Sequence, residues 1–374
     1  MSWQILNSSV VITSSVPEVG TFSFSGVNAA RIKKSIHSIN QSCSLTIPSK
    51  AKFWLVSGGK PIPVTTGTRF ADGDPIVVSL GYNGVMNEEF RGFVKRRDLA
   101  MPLVVECEGY ERQLRLNTGI KYTSSKPITA KALLEKACEG TDITVQCDVD
   151  FNISGIRFVN FNGVQICDTI KEVSDHTLTI FFINPTTLWC GLPYTAYASG
   201  GGAKPASLTN GNKNVTGLSW LGFPSVGLEL GWNTVKDNQL KQRIPSEPVQ
   251  VLFKGKLATG ALINQASRAK SALQKYQKLM SHVADGTTMG HFAQEKEFTL
   301  NYIGYQGKVT CFGVPFFLPG YDAYIVDSRY PELKGTYIIE STDVDFGVKV
   351  GFRRIGELGP LVGFNMPSNY SYSG

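Results

Sequence analysis

The sequence predicts a mainly β protein with α+β insertions, built from two antiparallel β-barrels and one small α+β domain. Three observations carry this expectation. Thirty-eight glycines supply turns, while 5 Trp, 14 Tyr and 21 Phe supply strand-favouring rings. Apolar residues make up 42% of the chain and charged residues only 18%, below the roughly 25% of an average domain and opposite to the balance of a disordered one. A length of 374 residues is enough for two or three domains of about 150 residues, each with its own core.

Residues 1–117 read as the first barrel. Cys43, Leu45 and Ile47 alternate with Ser42, Ser44 and Thr46, which is the period of a half-buried strand. Further short apolar runs at 53–56, 76–80, 90–94 and 103–107 are separated by Gly58-Gly59, Asp72-Gly73, Tyr82-Asn83-Gly84 and Met101-Pro102. Strands of this length and spacing suit an antiparallel barrel or sandwich.

The pattern changes over 118–214, which reads as a small α+β domain. Thr129 is placed to cap a helix with Ala130, Leu133, Leu134 and Ala137 on one side, and Gly140 to end it. Strands are expected at 143–147, 156–161 and 178–183, with a short helix at 169–173. The Gly/Ser/Asn-rich stretch 198–214 reads as a flexible exit loop.

Residues 215–363 read as the second barrel, with strands at 227–230, 249–253, 323–326, 337–341 and 349–354, and alternation at Phe298, Leu300 and Tyr302. A helical insertion is expected at about 266–284. There Ala266, Ala269, Ala272, Leu273, Tyr276, Leu279, Met280 and Val283 recur at three and four, and Gly286 follows as a stop. Its other face would carry Arg268, Lys270, Lys275 and Lys278 without an acidic partner. Residues 364–374, rich in Ser, Tyr and Asn, read as a loose tail.

Little in the chain points to catalysis. The net charge of +7 is mild and comes in short groups (31–34, 95–97, 353–354), so dedicated nucleic-acid binding is not expected. The seven cysteines form no CxxC and sit mostly in apolar segments, as free buried thiols do. The histidines at 37, 176, 282 and 291 accompany no GxSxG and no metal-ligand spacing. The 200–204 stretch lacks the GxxxxGK[ST] of a phosphate loop, and Glu106 and Glu108 read as outward residues of a strand rather than a hydrolytic pair. No cofactor or metal is expected. The N-terminus does not read as a signal peptide, and no window is long and apolar enough for a membrane span.

The two β regions share a rhythm. Asp72-Gly73 and Pro319-Gly320 each precede a strand, then Gly92 and Gly335 recur, and the interval from Gly92 to Cys107 equals that from Gly335 to Val350. Gly73, Gly92, Gly320 and Gly335 are thus candidate structural turn positions, under a duplication or under the generic rhythm of β-meanders.

The order of these pieces resembles the phage baseplate hub proteins, whose chains carry two barrels of the tail-tube fold. Gly73-Asp74 with 76–82, Glu89-Phe90-Arg91-Gly92-Phe93-Val94, 102–108 and Leu114 are similar to the first barrel. Leu230-Gly231-Trp232-Asn233 with Lys236-Asp237 and Leu240 is similar to the entry of the second. Residues 302–313, Pro319-Gly320, Tyr330-Pro331, Gly335-Thr336-Tyr337 and 346–359 resemble its closing half. The resemblance covers most of residues 10–360. It implies a non-enzymatic homotrimer in the virion tail baseplate, assembled in the host cytoplasm, that joins a sixfold tail tube to a threefold central spike and lines the ejection channel. The partners it implies are the spike, the tail tube or a tube-initiator protein, the tape-measure protein and other baseplate proteins, with DNA only in transit. The alternatives are the hub of a phage-derived contractile injection or secretion system and, in a different class, a tail-associated glycan hydrolase.

Overall fold

The computed structural model describes residues 4–363, except 56–61, 99–100, 124–127, 148–150, 154–156, 163–166, 169, 172, 174–177, 195–196, 199–201, 204–224, 236–238, 258–259, 268–273 and 281–284. The exit loop at 204–214, His176, His282 and the tail lie outside the described residues.

The first β region contains β1 (Leu6–Thr13), β2 (Thr21–Phe24), β3 (Ala29–Ser35), β4 (Ser38–Ile47), β5 (Lys50–Leu55), β6 (Ile62–Thr65), β7 (Pro75–Tyr82), β8 (Val85–Asp98) and β9 (Leu103–Glu108), followed by α1 (Glu111–Leu116). Alternation aims Val10, Ile32, Leu45, Val78, Phe90 and Val105 into one core, each nearly free of solvent. The β7–β8 hairpin turns on Asn83 and Gly84, both at positive φ (50° and 85°), as its two-residue loop requires.

The middle region contributes β10 (Thr118–Thr123), β11 (Ile128–Thr129), α2 (Ala130–Ala137), β12 (Thr144–Cys147), β13 (Asn152–Ile153), β14 (Arg157–Asn162), β15 (Thr179–Asn184), β16 (Thr187–Gly191), β17 (Tyr197–Ala198) and β18 (Gly202–Ala203). Thr129 caps α2 by accepting the Ala132 N–H at 3.2 Å, and Gly140 takes positive φ just beyond its end.

The last region holds β19 (Ser225–Glu229), β20 (Lys241–Arg243), β21 (Val249–Lys256), β22 (Leu262–Ala266), β23 (Gln274–Met280), α3 (Gly286–Asn301), β24 (Gly304–Phe312), β25 (Asp322–Val326), β26 (Gly335–Gly347) and β27 (Gly351–Gly363). The expected helix at 266–284 is overturned. Its described part is two strands, β22 antiparallel and β23 parallel to β21. The helix comes later, where Asp285 caps α3 by accepting the Thr288 N–H at 2.7 Å, and it absorbs Phe298 and Leu300, which read as a strand. Pairing on both sides of β21 outweighs the helical spacing of an alanine-rich stretch. Val251, Phe253 and Met280 of this sheet, with Met289 and Phe292 of α3, share a core with α2, β12, β15 and β16. The insertion therefore packs against the middle region rather than into the core of the second β region.

Fifteen strands form one sheet whose main path is β20-β24-β27-β26-β3-β4-β9-β8-β7-β1-β2-β5-β6, with β25 and β19 branching from β26. Within it one arrangement occurs twice. The orders β3-β4-β9-β8-β7 and β20-β24-β27-β26-β25 are antiparallel throughout and run through the chain in the same sequence. Their hydrogen bonds agree as well. Gly73 N–H donates to Val94 O and Val94 N–H to Asp74 O; Gly320 N–H donates to Ile339 O and Ile339 N–H to Tyr321 O.

These bonds correct the register suggested by the glycine spacing. Val94 matches Ile339, so Gly92 corresponds to Tyr337, not Gly335. Cys107, which pairs with Val94, corresponds to Leu358, which pairs with Ile339; Val350 lies in a turn. The cause is loop length, because a two-residue turn joins β7 to β8 whereas a stretch containing a 3-10 turn at Pro331–Leu333 joins β25 to β26. One difference between the copies is topological. Strand β1 runs antiparallel to β7, while β19 runs parallel to β25.

Candidate functional site

The two copies meet on β26 and β27. The first part of β26 pairs with β25, with Ile325 opposite Gly335, and its last part pairs with β3, from Ser341 opposite Ser35 to Gly347 opposite Ala29. Tyr337 and Ile339 therefore belong to the second core, whereas Val344 and Phe346, on the same strand, belong to the first.

A buried ion pair fixes this joint. Arg354 of β27 and Glu89 of β8 are 0% and 1% exposed and share a short charge-assisted hydrogen bond. The guanidinium also donates to Phe317 O (3.1 Å) and Gly313 O (3.3 Å), and it lies 4.7 Å from the Phe316 ring centre. Lys34 of β3 feels both charges; burial draws its ammonium down to about 8, against the pull of Glu89. Across the same seam Arg31 meets Asp345 at 2.8 Å, but this pair is exposed and contributes little.

One end of the joint is apolar and open. Tyr82, at the end of β7, donates its hydroxyl to Phe352 O (3.1 Å), and its ring lies 5.4 Å from that of Phe352. This contact brings the β7–β8 hairpin beside the β26–β27 hairpin. Val85 (75% exposed) projects from the first, Val348 (89%) and Val350 (50%) from the second, and Ile5 and Phe312 are exposed alongside. Isolated exposed apolar residues are ordinary, whereas here several gather at the tips of paired hairpins.

Of the four candidate glycines, two lie at turns. Gly73 and Gly320 have φ of 99° and 92°. Gly92 and Gly335 lie within β8 and β26. At Gly92 the requirement is close approach, since a Cβ there would sit 2.2 Å from Glu108 O of the next strand.

Two cavities flank the joint. One of about 380 Å³ is lined by His37, Tyr194, Tyr276, Lys296 and Glu340, where β3–β4, the middle domain, α3 and β26 converge. Burial pushes the Glu340 carboxyl up, but bonds from His37 (3.3 Å) and the Tyr194 hydroxyl outweigh it, and the net shift is downward. The second, about 780 Å³, lies beside β24 and is floored by Tyr305, Val309 and Leu333. At its rim Arg329 grips Asp327 with two bonds of 2.9–3.0 Å and holds its carboxyl near 2, helped by the Tyr305 hydroxyl at 2.6 Å. The Glu340 and Asp327 carboxylates are thus each met by a neighbouring basic side chain. Among the described residues no group of three or more His, Cys, Asp or Glu could hold a metal.

The carboxylates considered for hydrolysis are tied into ion pairs. Glu106 meets Arg96 at 3.1 Å. Glu108, expected to face outward, is buried and bridges Arg112 (2.7 Å) and Arg115 of α1. The sequence reading missed the Arg354–Glu89 pair altogether. Its only signal was an arginine at an inward position of an alternating strand.

Over nearly its whole length the chain is similar to a tail protein from Neisseria meningitidis MC58, with 11% identity, TM-score 0.59, and 97% of this chain and 99% of that one covered. It is also similar to the 43 kDa tail protein of prophage MuSo2 from Shewanella oneidensis (12%, TM-score 0.53, 94% and 98%) and to prophage tail protein gp18 from Listeria monocytogenes EGD-e (8%, TM-score 0.51, 93% and 94%). No family model and no curated protein matches the sequence. What is shared at these identities is the fold, and the fold of this chain is that of phage tail proteins.

Proposed function

We propose that the chain is the structural hub of a phage tail baseplate. Three copies close into a ring, each giving two related β modules, so that six similar modules face the tail tube and three identical chains face the spike. The observation that carries this reading is the five-strand arrangement repeated within one sheet. A duplicated module in a trimer matches a sixfold partner on one side and a threefold partner on the other, and contacts around a closed ring are heterologous. In this reading each module curls into a tube-like barrel, neighbouring chains cover edge strands that would otherwise be open, and the central channel passes tape-measure protein and DNA. The exposed valines at the hairpin tips are assigned to ring contacts.

Light scattering on purified protein tests the assembly. The expected mass is three times the 40.8 kDa of one chain, falling toward one chain on dilution, with dissociation at about tenfold higher concentration in Val348→Ser/Val350→Ser. A strictly monomeric wild type at millimolar concentration contradicts the assignment.

A further inference from the structure

The outward face of the β22-β21-β23 sheet is cationic, and the hub reading leaves it without a role. From Pro248 to Ala284 the sequence carries Lys254, Lys256, Arg268, Lys270, Lys275 and Lys278 and no carboxylate. The fold sorts the side chains of the described strands. On β21, Val251 and Phe253 are buried while Lys254 and Lys256 are exposed. On β23, Tyr276 and Lys278 line the inner cavity, while Lys275 and Leu279 (75% exposed) take the other face. Leu262, 79% exposed, lies opposite Lys256, and Leu279 lies opposite Lys254.

Lysine and leucine therefore alternate across one open face. Lys254, Lys256 and Lys275 form no ion pair among the described residues, in contrast to Lys131, Lys136 and Lys308. The strands offer no arginine for bidentate phosphate contacts, and their two aromatic rings, Phe253 and Tyr276, are turned inward, so a nucleic acid would find neither fork nor stacking platform on them. Two leucines this exposed among unpaired ammonium groups complement a protein surface on which carboxylates surround apolar side chains.

We infer that this face docks a partner protein through an acidic segment with interspersed apolar residues. The inference is independent of the hub assignment. It is tested on the full chain with a labelled Glu/Tyr random copolymer as probe, followed by fluorescence anisotropy. Saturable binding is expected at low salt, weakened about tenfold or more at 0.2 M NaCl. Lys254→Gln/Lys256→Gln/Lys275→Gln should lower affinity about tenfold. Leu262→Ser/Leu279→Ser, which changes no charge, should lower it severalfold, and both variants should keep the wild-type melting curve. The inference is overturned by absence of saturable binding, by wild-type affinity in the lysine variant, or by tighter and equally lysine-dependent binding of a 20-base-pair DNA duplex. The last result would assign the face to nucleic acid instead.

Discussion

Glu111 shows how one buried carboxyl can set the pH response of this protein. It opens α1, is 1% exposed, and accepts the backbone N–H of Gly109 at 3.0 Å and of Gln41 at 3.2 Å through Oε1. Burial outweighs these bonds and pushes its pKa up to about 7. An unfolded chain releases that proton near the ordinary glutamate value of 4.5. Between the two values the folded state binds more protons, so this residue's contribution falls as pH rises from about 4.5 to 7. Glu111→Gln should remove the slope: relative to wild type it should gain about 2.5 kcal/mol between pH 5 and pH 8, read from urea unfolding. An unchanged difference between the two pH values contradicts this. Nothing in the sequence marked Glu111, because its burial comes from β4 packing across it. The thiols were legible. Cys43 and Cys107 alternate with apolar neighbours and face each other in the core, and burial pushes Cys138 and Cys311 up to about 12.

At the scale of elements, local alternation was readable and long-range pairing was not. The strands around Cys43, Val78, Phe90 and Val105 followed from period two, and the capped helix at Thr129 from its sequence. The segment 274–280 misled because Tyr276, Leu279 and Met280 also fit a helical face; parallel pairing with β21 decides its state. Conversely, Gly286, Thr287, Thr288 and Gly290 are poor helix formers, and α3 forms because Asp285 caps it and Met289, Phe292 and Ala293 reach the middle core. Strand β26 runs longer than expected because its last part pairs with β3, about three hundred residues away in the chain, and β27 because it pairs with β24 and β26 along its length. The Arg354–Glu89 bond holds this junction, so its loss should act on the junction as a whole. Arg354→Met leaves a buried carboxylate unpaired and should cost about 3–5 kcal/mol, while Arg354→Met/Glu89→Leu should recover most of it. Additive losses in this double-mutant cycle, measured by urea unfolding, contradict a coupled pair.

For the whole molecule, the first clues were many glycines, many rings and few charges. The rings and glycines belong to a β architecture in which one five-strand arrangement occurs twice, and a small sheet within the 248–284 segment, which carries six basic residues and no carboxylate, exposes Lys254, Lys256 and Lys275. The duplication was visible in the sequence as rhythm, with Gly73 and Gly320 at matching turns, but its register needed hydrogen bonds, because unequal loops displaced the glycines that seemed to align. The shared core of the middle domain and the 249–301 insertion could not be read, since the two segments are separated in sequence by β19 and β20. The central claim is that three chains present six related modules in a ring. Electron-microscopy class averages of the assembled protein test it most directly. End-on views should show a threefold ring with six similar lobes around an open centre; monomers, or rings of another order, would contradict it.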